Sequence, residues 1–182
     1  MIMKNLRAQF WSFDMVFAIV IFSVAITVLA YTWYSVNNQL SLAYGSGSVI
    51  AQLQTHALAQ SLMSTGYPND WMSAVNTTNT LTWTNVSIGL ASAPGSTNMS
   101  IRKVYTLLAM SNYNYQATKQ ELGVGYDYYI TIVGSGLNMT LGENPATNGA
   151  LSVYVDKRSA LLAGIPVTLT VYVWTNTPLA VG

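Results

Sequence analysis

The residues able to do chemistry are few and far apart. The chain of 182 residues holds one histidine, His56, no cysteine, and six carboxylates: Asp14, Asp70, Glu121, Asp127, Glu143 and Asp156. A catalytic nucleophile needs a base within hydrogen-bond reach, and a metal needs ligands at set spacing. The sequence offers no Cys–His pair, no Gly-x-Ser-x-Gly elbow and no ligand cluster. Gly45-Ser46-Gly47 lacks the Gly-Lys-Ser/Thr that would make it a phosphate loop and fits a hinge better. His56, with no acid near it in sequence, reads as a polar surface or packed residue rather than a ligand. The expectation is a protein that is not an enzyme, with no cofactor and no metal.

Two kinds of side chain remain. Four Asn-x-Ser/Thr sequons, at Asn76, Asn85, Asn98 and Asn138, are candidate glycosylation sites. Asp14 stands at the edge of a long apolar run, where an unpaired carboxylate is costly and a partner is expected.

That run, Met15 to Tyr34, organises the chain. It contains no charge, Pro or Gly, and its polar members carry hydroxyls. At about 1.5 Å per residue it makes a helix of about 30 Å, the thickness of a bilayer's hydrocarbon core. Apolar on every side, it is expected to be a membrane span or the packed centre of an assembly. Lys4 and Arg7 precede it and the next base is Arg102, so the N-terminus is expected inside the cell and the bulk outside. Ser12 reads as the cap of this helix and Asp14 as an acid in its first turn.

Residues 1–9, MIMKNLRAQ, read as a short basic leader. The leader, then Ala8-Gln9, Phe10-Trp11-Ser12-Phe13-Asp14 and an unbroken apolar helix, resembles the class III signal peptide of archaeal type IV pilin-like proteins. Gly66-Tyr67-Pro68-Asn69-Asp70-Trp71, Ile88-Gly89-Leu90, Gly125-Tyr126-Asp127-Tyr128-Tyr129 and Val171-Tyr172-Val173-Trp174 are similar to motifs of uncharacterised archaeal membrane-anchored pilin-like proteins, in the same order. The resemblance implies processing by a prepilin peptidase around Ala8, Gln9 and Phe10. A cut after Gln9 makes Asp14 the fifth residue, where the family places an acid; a cut after Ala8 makes it the sixth. It also implies extraction of the helix from the membrane by pilus assembly machinery and a homo-oligomeric helical filament. In that filament Asp14 would meet a neighbouring subunit's new N-terminal amine. The implied task is that of a structural subunit of an extracellular filament for adhesion or surface attachment. Two alternatives stand beside it: an uncut, single-span anchored surface or binding protein, and a secretory signal removed near Val28-Leu29-Ala30.

The expected organisation is a leader at 1–9, a long N-terminal helix at 10–65 kinked at Gly45–Gly47, and an extracellular β-rich head at 66–182. The class is α+β, the long helix packing on a small antiparallel sheet. Ile50, Leu53, Ala57 and Leu58 are expected to form the face of the helix that meets the head. Pro94 to Thr97 reads as a turn. Strands are expected over Leu81–Leu90, Tyr126–Val133, Leu137–Leu141, Ala150–Leu162 and Pro166–Thr175, with short helices over Ile101–Met110 and Tyr115–Leu122. Lys119 and Glu121 read as a solvated face. The tyrosines around residues 113–129 divide between sheet core and an exposed patch.

Only 7% of the chain is charged, against about 25% in an ordinary globular domain. Beyond Asp14 the five acids meet five bases, Arg102, Lys103, Lys119, Lys157 and Arg158. A head with no net charge excludes nucleic acid as a partner, since phosphate binding needs a basic face. Such a surface changes little when carboxylates protonate, which fits an acidic habitat, and fits equally a glycosylated or self-associating surface.

Overall fold

The computed structural model describes residues 6–44 and 46–177, with side chains over 14–36 and 47–177. The chain divides into two units, the first ending at Gly45 and the second running from Ser46. Gly45, part of the expected kink, lies outside the described residues, as do residues 1–5 of the leader.

The first unit is a single helix, α1, Leu6–Tyr44. It starts six residues before Ser12, so Ser12 and Asp14 are interior helix residues rather than cap and first-turn acid. The reason is local: Leu6-Arg7-Ala8-Gln9 are all strong helix formers, and nothing separates them from the apolar run.

The second unit is α+β. Helix α2, Ser46–Leu62, is followed by a one-turn helix α3, Trp71–Ala74, and a 3-10 turn over Thr80–Thr82. Then come β1, Asn98–Met99; α4, Ile101–Tyr113; α5, Tyr115–Glu121; and β2 to β5, at Asp127–Gly134, Leu137–Gly142, Ser152–Leu162 and Ile165–Thr175. The strand order is β1-β4-β5-β2-β3. The sheet is mixed rather than antiparallel, because β1 runs parallel to β4 at Asn98↔Leu161 and Met99↔Leu162. A two-residue strand carries no alternation to read.

The β4–β5 hairpin turns on Ala163 and Gly164, both with positive φ, 51° and 84°. This is the primed two-residue turn whose twist matches antiparallel strands. Ile165, expected in the connection, is instead the first residue of β5. On the inner face Tyr128, Ile130, Ile132, Leu169, Val171 and Val173 are fully buried, as the alternation in these strands required.

Helix α2 packs on β4 and β5 through Ala51, Thr55, Leu58, Ala59 and Leu62. This corrects the expected face: Ile50 and Leu53 are 49% and 63% exposed, and of the four expected residues only Leu58 is buried. Thr55 explains the shift. Its hydroxyl donates to the Ala51 carbonyl one turn back at 2.7 Å, so a residue counted as polar sits in the core with its hydrogen bond made.

The expected strand Leu81–Leu90 is also corrected. Asn79 caps the 3-10 turn by accepting from the Leu81 amide, and Thr82 donates back to the Asn79 carbonyl at 2.8 Å. Trp83 is fully buried and donates its indole N–H to the Asn76 carbonyl at 2.8 Å. Local side-chain bonds outcompete β-propensity here. In α4, Ser100 holds the N-cap position without a side-chain bond. Asn114 caps α5 through the Ala117 amide at 2.9 Å.

Candidate functional site

The surface with the clearest chemical character is α1. Asp14–Val36 is 23 residues long with mean hydropathy 2.4, and none of it is buried. Phe17, Ile21, Phe22, Leu29 and Trp33 are each more than 60% exposed. Three hydroxyls in this stretch are satisfied within the helix: Ser23 donates to the Ile19 carbonyl, Thr27 to Ser23 and Thr32 to Val28, each at 2.8 Å. Back-bonding to the preceding turn removes the polar penalty those groups would otherwise carry in an apolar medium. Tyr31, Trp33 and Tyr34 gather at the far end, where aromatic rings suit a membrane–water boundary. Asp14, at the near end, is exposed, and among the described residues it makes no ion pair. The side chains of Ala8, Gln9 and Phe10 lie outside the described residues.

The head carries a second apolar stripe. Val49, Ile50 and Leu53 on α2 are exposed, and Ala57 continues the row one turn on. Ile50, Leu53 and Ala57 share one side of the helix by their spacing, away from the side that meets the sheet.

The sequons differ in presentation. Asn76 is exposed, and its carboxamide oxygen accepts from both the Thr78 amide at 3.0 Å and the Thr78 hydroxyl at 2.8 Å. Asn85 is exposed in a loop, and Asn138 is exposed on β3. Asn98, in β1, is half-buried, with its carboxamide oxygen enclosed and unpartnered. Three of the four are exposed and Asn98 is half-buried.

Comparison with known proteins finds no family model, no curated protein and no solved structure that matches this chain. Its reading rests on its own residues.

Three polar clusters organise the head, and sequence reasoning placed none of them. His56 Nδ1 on α2 lies 2.9 Å from Asp156 Oδ2 on β4, and Arg158 reaches the same carboxylate oxygen at 3.0 Å. Asp156 is the buried member, with 17% of its side chain exposed against 62% for His56. Beside them lies a shallow cleft of about 160 Å³ lined by Gln52, Thr55, His56, Tyr154, Val155 and Asp156. A carboxylate oxygen shared by His56 and Arg158 is a structural tie between helix and sheet.

Lys119 is corrected from solvated face to ion pair. Its ammonium donates to Asp127 at 2.7 Å, and Tyr115 donates to the same oxygen at 3.2 Å, joining α5 to the start of β2. Tyr115 stacks on Tyr128 with ring centroids 4.9 Å apart, and Tyr128 is paired with Ser111 at 2.9 Å. Burial pushes the Tyr128 phenol up to about 12 and raises Tyr115 further. Tyr128 is core, Tyr115 is half-buried against it and Tyr113 is exposed, so the cluster is not a single patch.

Lys103, 3% exposed, donates to the carbonyls of Thr65 at 2.7 Å and Ala91 at 2.9 Å. Burial lowers its affinity for the proton, partly offset by Asp70. Among the described residues no group of three or more His, Cys, Asp or Glu comes together.

Proposed function

We propose that this chain is the structural subunit of an extracellular filament of the archaeal type IV pilus-like kind, and that its mechanism is assembly rather than turnover. The observation that carries the reading is the wholly uncovered apolar helix Asp14–Val36 ahead of a head with a complete core of its own. The apolar stripe of α2 supports it, because Ile50 and Leu53 are left outside the head's core.

In this reading the helix rests in the membrane after synthesis, a prepilin peptidase cuts near Ala8, Gln9 or Phe10, and assembly machinery draws the helix into a bundle of its copies. Apolar burial is worth about 25 cal/mol per Å², so a side-chain surface of this length holds subunits together without covalent links. Asp14 pairs with the new N-terminal amine of a neighbour. The head faces the exterior, where the sequons meet glycosylating enzymes, and the filament serves attachment.

The test is to shear the cell surface, collect filaments, and determine the intact mass and N-terminal sequence of this protein. Filaments whose subunit begins at Gln9 or Phe10 support the reading. Recovery only from membranes, with residues 1–9 retained, replaces it with the uncut anchored surface protein.

A further inference from the structure

The sheet has two open edges, and they are protected differently. On one side β4 meets β1 only at Leu161 and Leu162, so its stretch 152–160 is an edge among the described residues. That stretch carries Asp156, Lys157 and Arg158 in its middle. Charges there, two of them directed inward, are the ordinary device against pairing with a foreign strand.

On the other side β3, Leu137-Asn138-Met139-Thr140-Leu141-Gly142, has a strand on one side only and contains neither charge nor proline. Its closing pair with β2 is Gly134↔Leu137, followed by Ile132↔Met139 and Ile130↔Leu141. In a two-residue hairpin those positions exchange backbone hydrogen bonds with β2, so the N–H and C=O groups of Asn138 and Thr140 turn outward. Both of these residues are exposed, and lying two apart they share one face of the sheet. They are also the first and third residues of a sequon. The edge without a charge is the edge with an exposed glycan acceptor; Asn98, in β1 on the other side, is half-buried.

We propose that Asn138 carries an N-linked glycan that closes the β3 edge to a second strand. The donor is an oligosaccharide on a lipid phosphate. Asn138 Nδ2 forms the new bond to the anomeric carbon, that carbon's bond to the phosphate oxygen breaks, the lipid phosphate leaves, and the amide proton passes to a base of the transferase. A hydrated, branched group at this position stands over the outward amides and excludes a neighbouring chain, the task that charge performs on β4. The inference rests on the proposed outward location of the head.

The test uses full-length protein purified in detergent from cells that make it. Trypsin releases Gln120–Lys157, in which Asn138 is the one sequon, so the mass of that peptide reports its occupancy. A glycan mass on it is expected. A bare peptide beside glycosylated Asn76 or Asn85 overturns this inference alone, and bare peptides throughout overturn the outward location as well.

Two variants then separate the edge role from mere decoration. Thr140→Ala removes the sequon and leaves the edge unguarded, so the particle mass by light scattering is expected to at least double. Thr140→Lys removes the sequon and adds an edge charge, and is expected to keep the wild-type mass. Asn85→Gln, which deletes a loop glycan, is expected to change nothing. A Thr140→Ala protein of unchanged mass, or a Thr140→Lys protein as associated as Thr140→Ala, overturns the edge role. The α1 helix is identical in all four proteins and cancels from the comparison.

Discussion

Gly66 and Gly89 lie backbone against backbone. A β-carbon on Gly66 would stand 2.8 Å from the Gly89 nitrogen and 2.7 Å from the Trp71 ring. Trp71 donates its indole N–H to the Gly89 carbonyl at 2.8 Å, and Tyr67 and Ser87 exchange backbone hydrogen bonds at 2.9 and 2.7 Å. The segments Gly66–Trp71 and Ile88–Leu90, separate in sequence, are therefore one structural joint.

Gly89→Ala forces that joint apart, because the new methyl meets backbone atoms of Ser64 and Gly66 that cannot rotate away. The expected loss is at the upper end of about 1–3 kcal/mol for overpacking. Urea unfolding followed by tryptophan fluorescence reads it. Gly95→Ala, with nothing within 4 Å, should lose only about 1–2 kcal/mol for its left-handed backbone.

Leu58 and Leu53 separate fold from assembly on one helix. Leu58 is 2% exposed and Leu53 63%. Leu58→Ala should destabilise the head by about 2–5 kcal/mol, whereas Leu53→Gln should stay within about 0.5 kcal/mol. If α2 contributes to subunit packing, Leu53→Gln keeps the urea midpoint and loses filaments under electron microscopy. Normal filaments would remove the stripe from the interface.

Asp14→Ala should leave membrane insertion and head stability unchanged and abolish filaments. Its readouts are the protein level in membranes and the filament yield after shearing. Normal filaments from this variant would refute the pairing assigned to Asp14.

Lys103 predicts how stability moves in alkali. The buried native amine releases its proton below the ordinary value of 10.5. Between those two values the unfolded chain binds more protons, so stability climbs with pH. Above 10.0, Tyr115 and Tyr128 oppose the climb, since their native phenols hold protons that the unfolded chain has lost. Lys103→Met should remove the rise and leave two buried carbonyls unpaired, at about 1–3 kcal/mol. Urea midpoints measured from neutral pH to pH 10 report both effects.

Glu121 predicts the acid limb. Burial raises its carboxyl above 4.5, so in that window the native state binds the extra proton. Its contribution is fully present below 4.5 and is lost as pH rises through the native value. Glu121→Gln should flatten the pH profile in weak acid. A variant with the wild-type slope would show that the carboxyl is not the source.

Legibility followed the range of the interactions. The apolar run and the strands expected over Tyr126–Val133, Leu137–Leu141, Ala150–Leu162 and Pro166–Thr175 were readable because residues a few positions apart decide them. Leu81–Leu90 misled because Asn79 and Thr82 bond locally and override β-branched composition. The face of α2 misled because Thr55 hides its hydroxyl against Ala51. His56 and Asp156 lie 100 residues apart, and no local pattern ties one to the other. Of the candidate site, the helix and the sequons were legible, but the burial of Asn98 and the exposure of Asn138 depend on strand pairing across the sheet.

The back-bonded hydroxyls of Ser23, Thr27 and Thr32 have a consequence for traffic. A polar group that depends on its surroundings for a partner ties a helix to one solvent, whether water, lipid or protein. These three bring their partners with them, on the turn behind each. Moving this stretch between lipid and protein breaks none of those bonds and requires no replacement, so these three hydroxyls neither trap it in the bilayer nor dictate a docking register. Apart from the charge of Asp14, what decides its destination is shape and apolar contact.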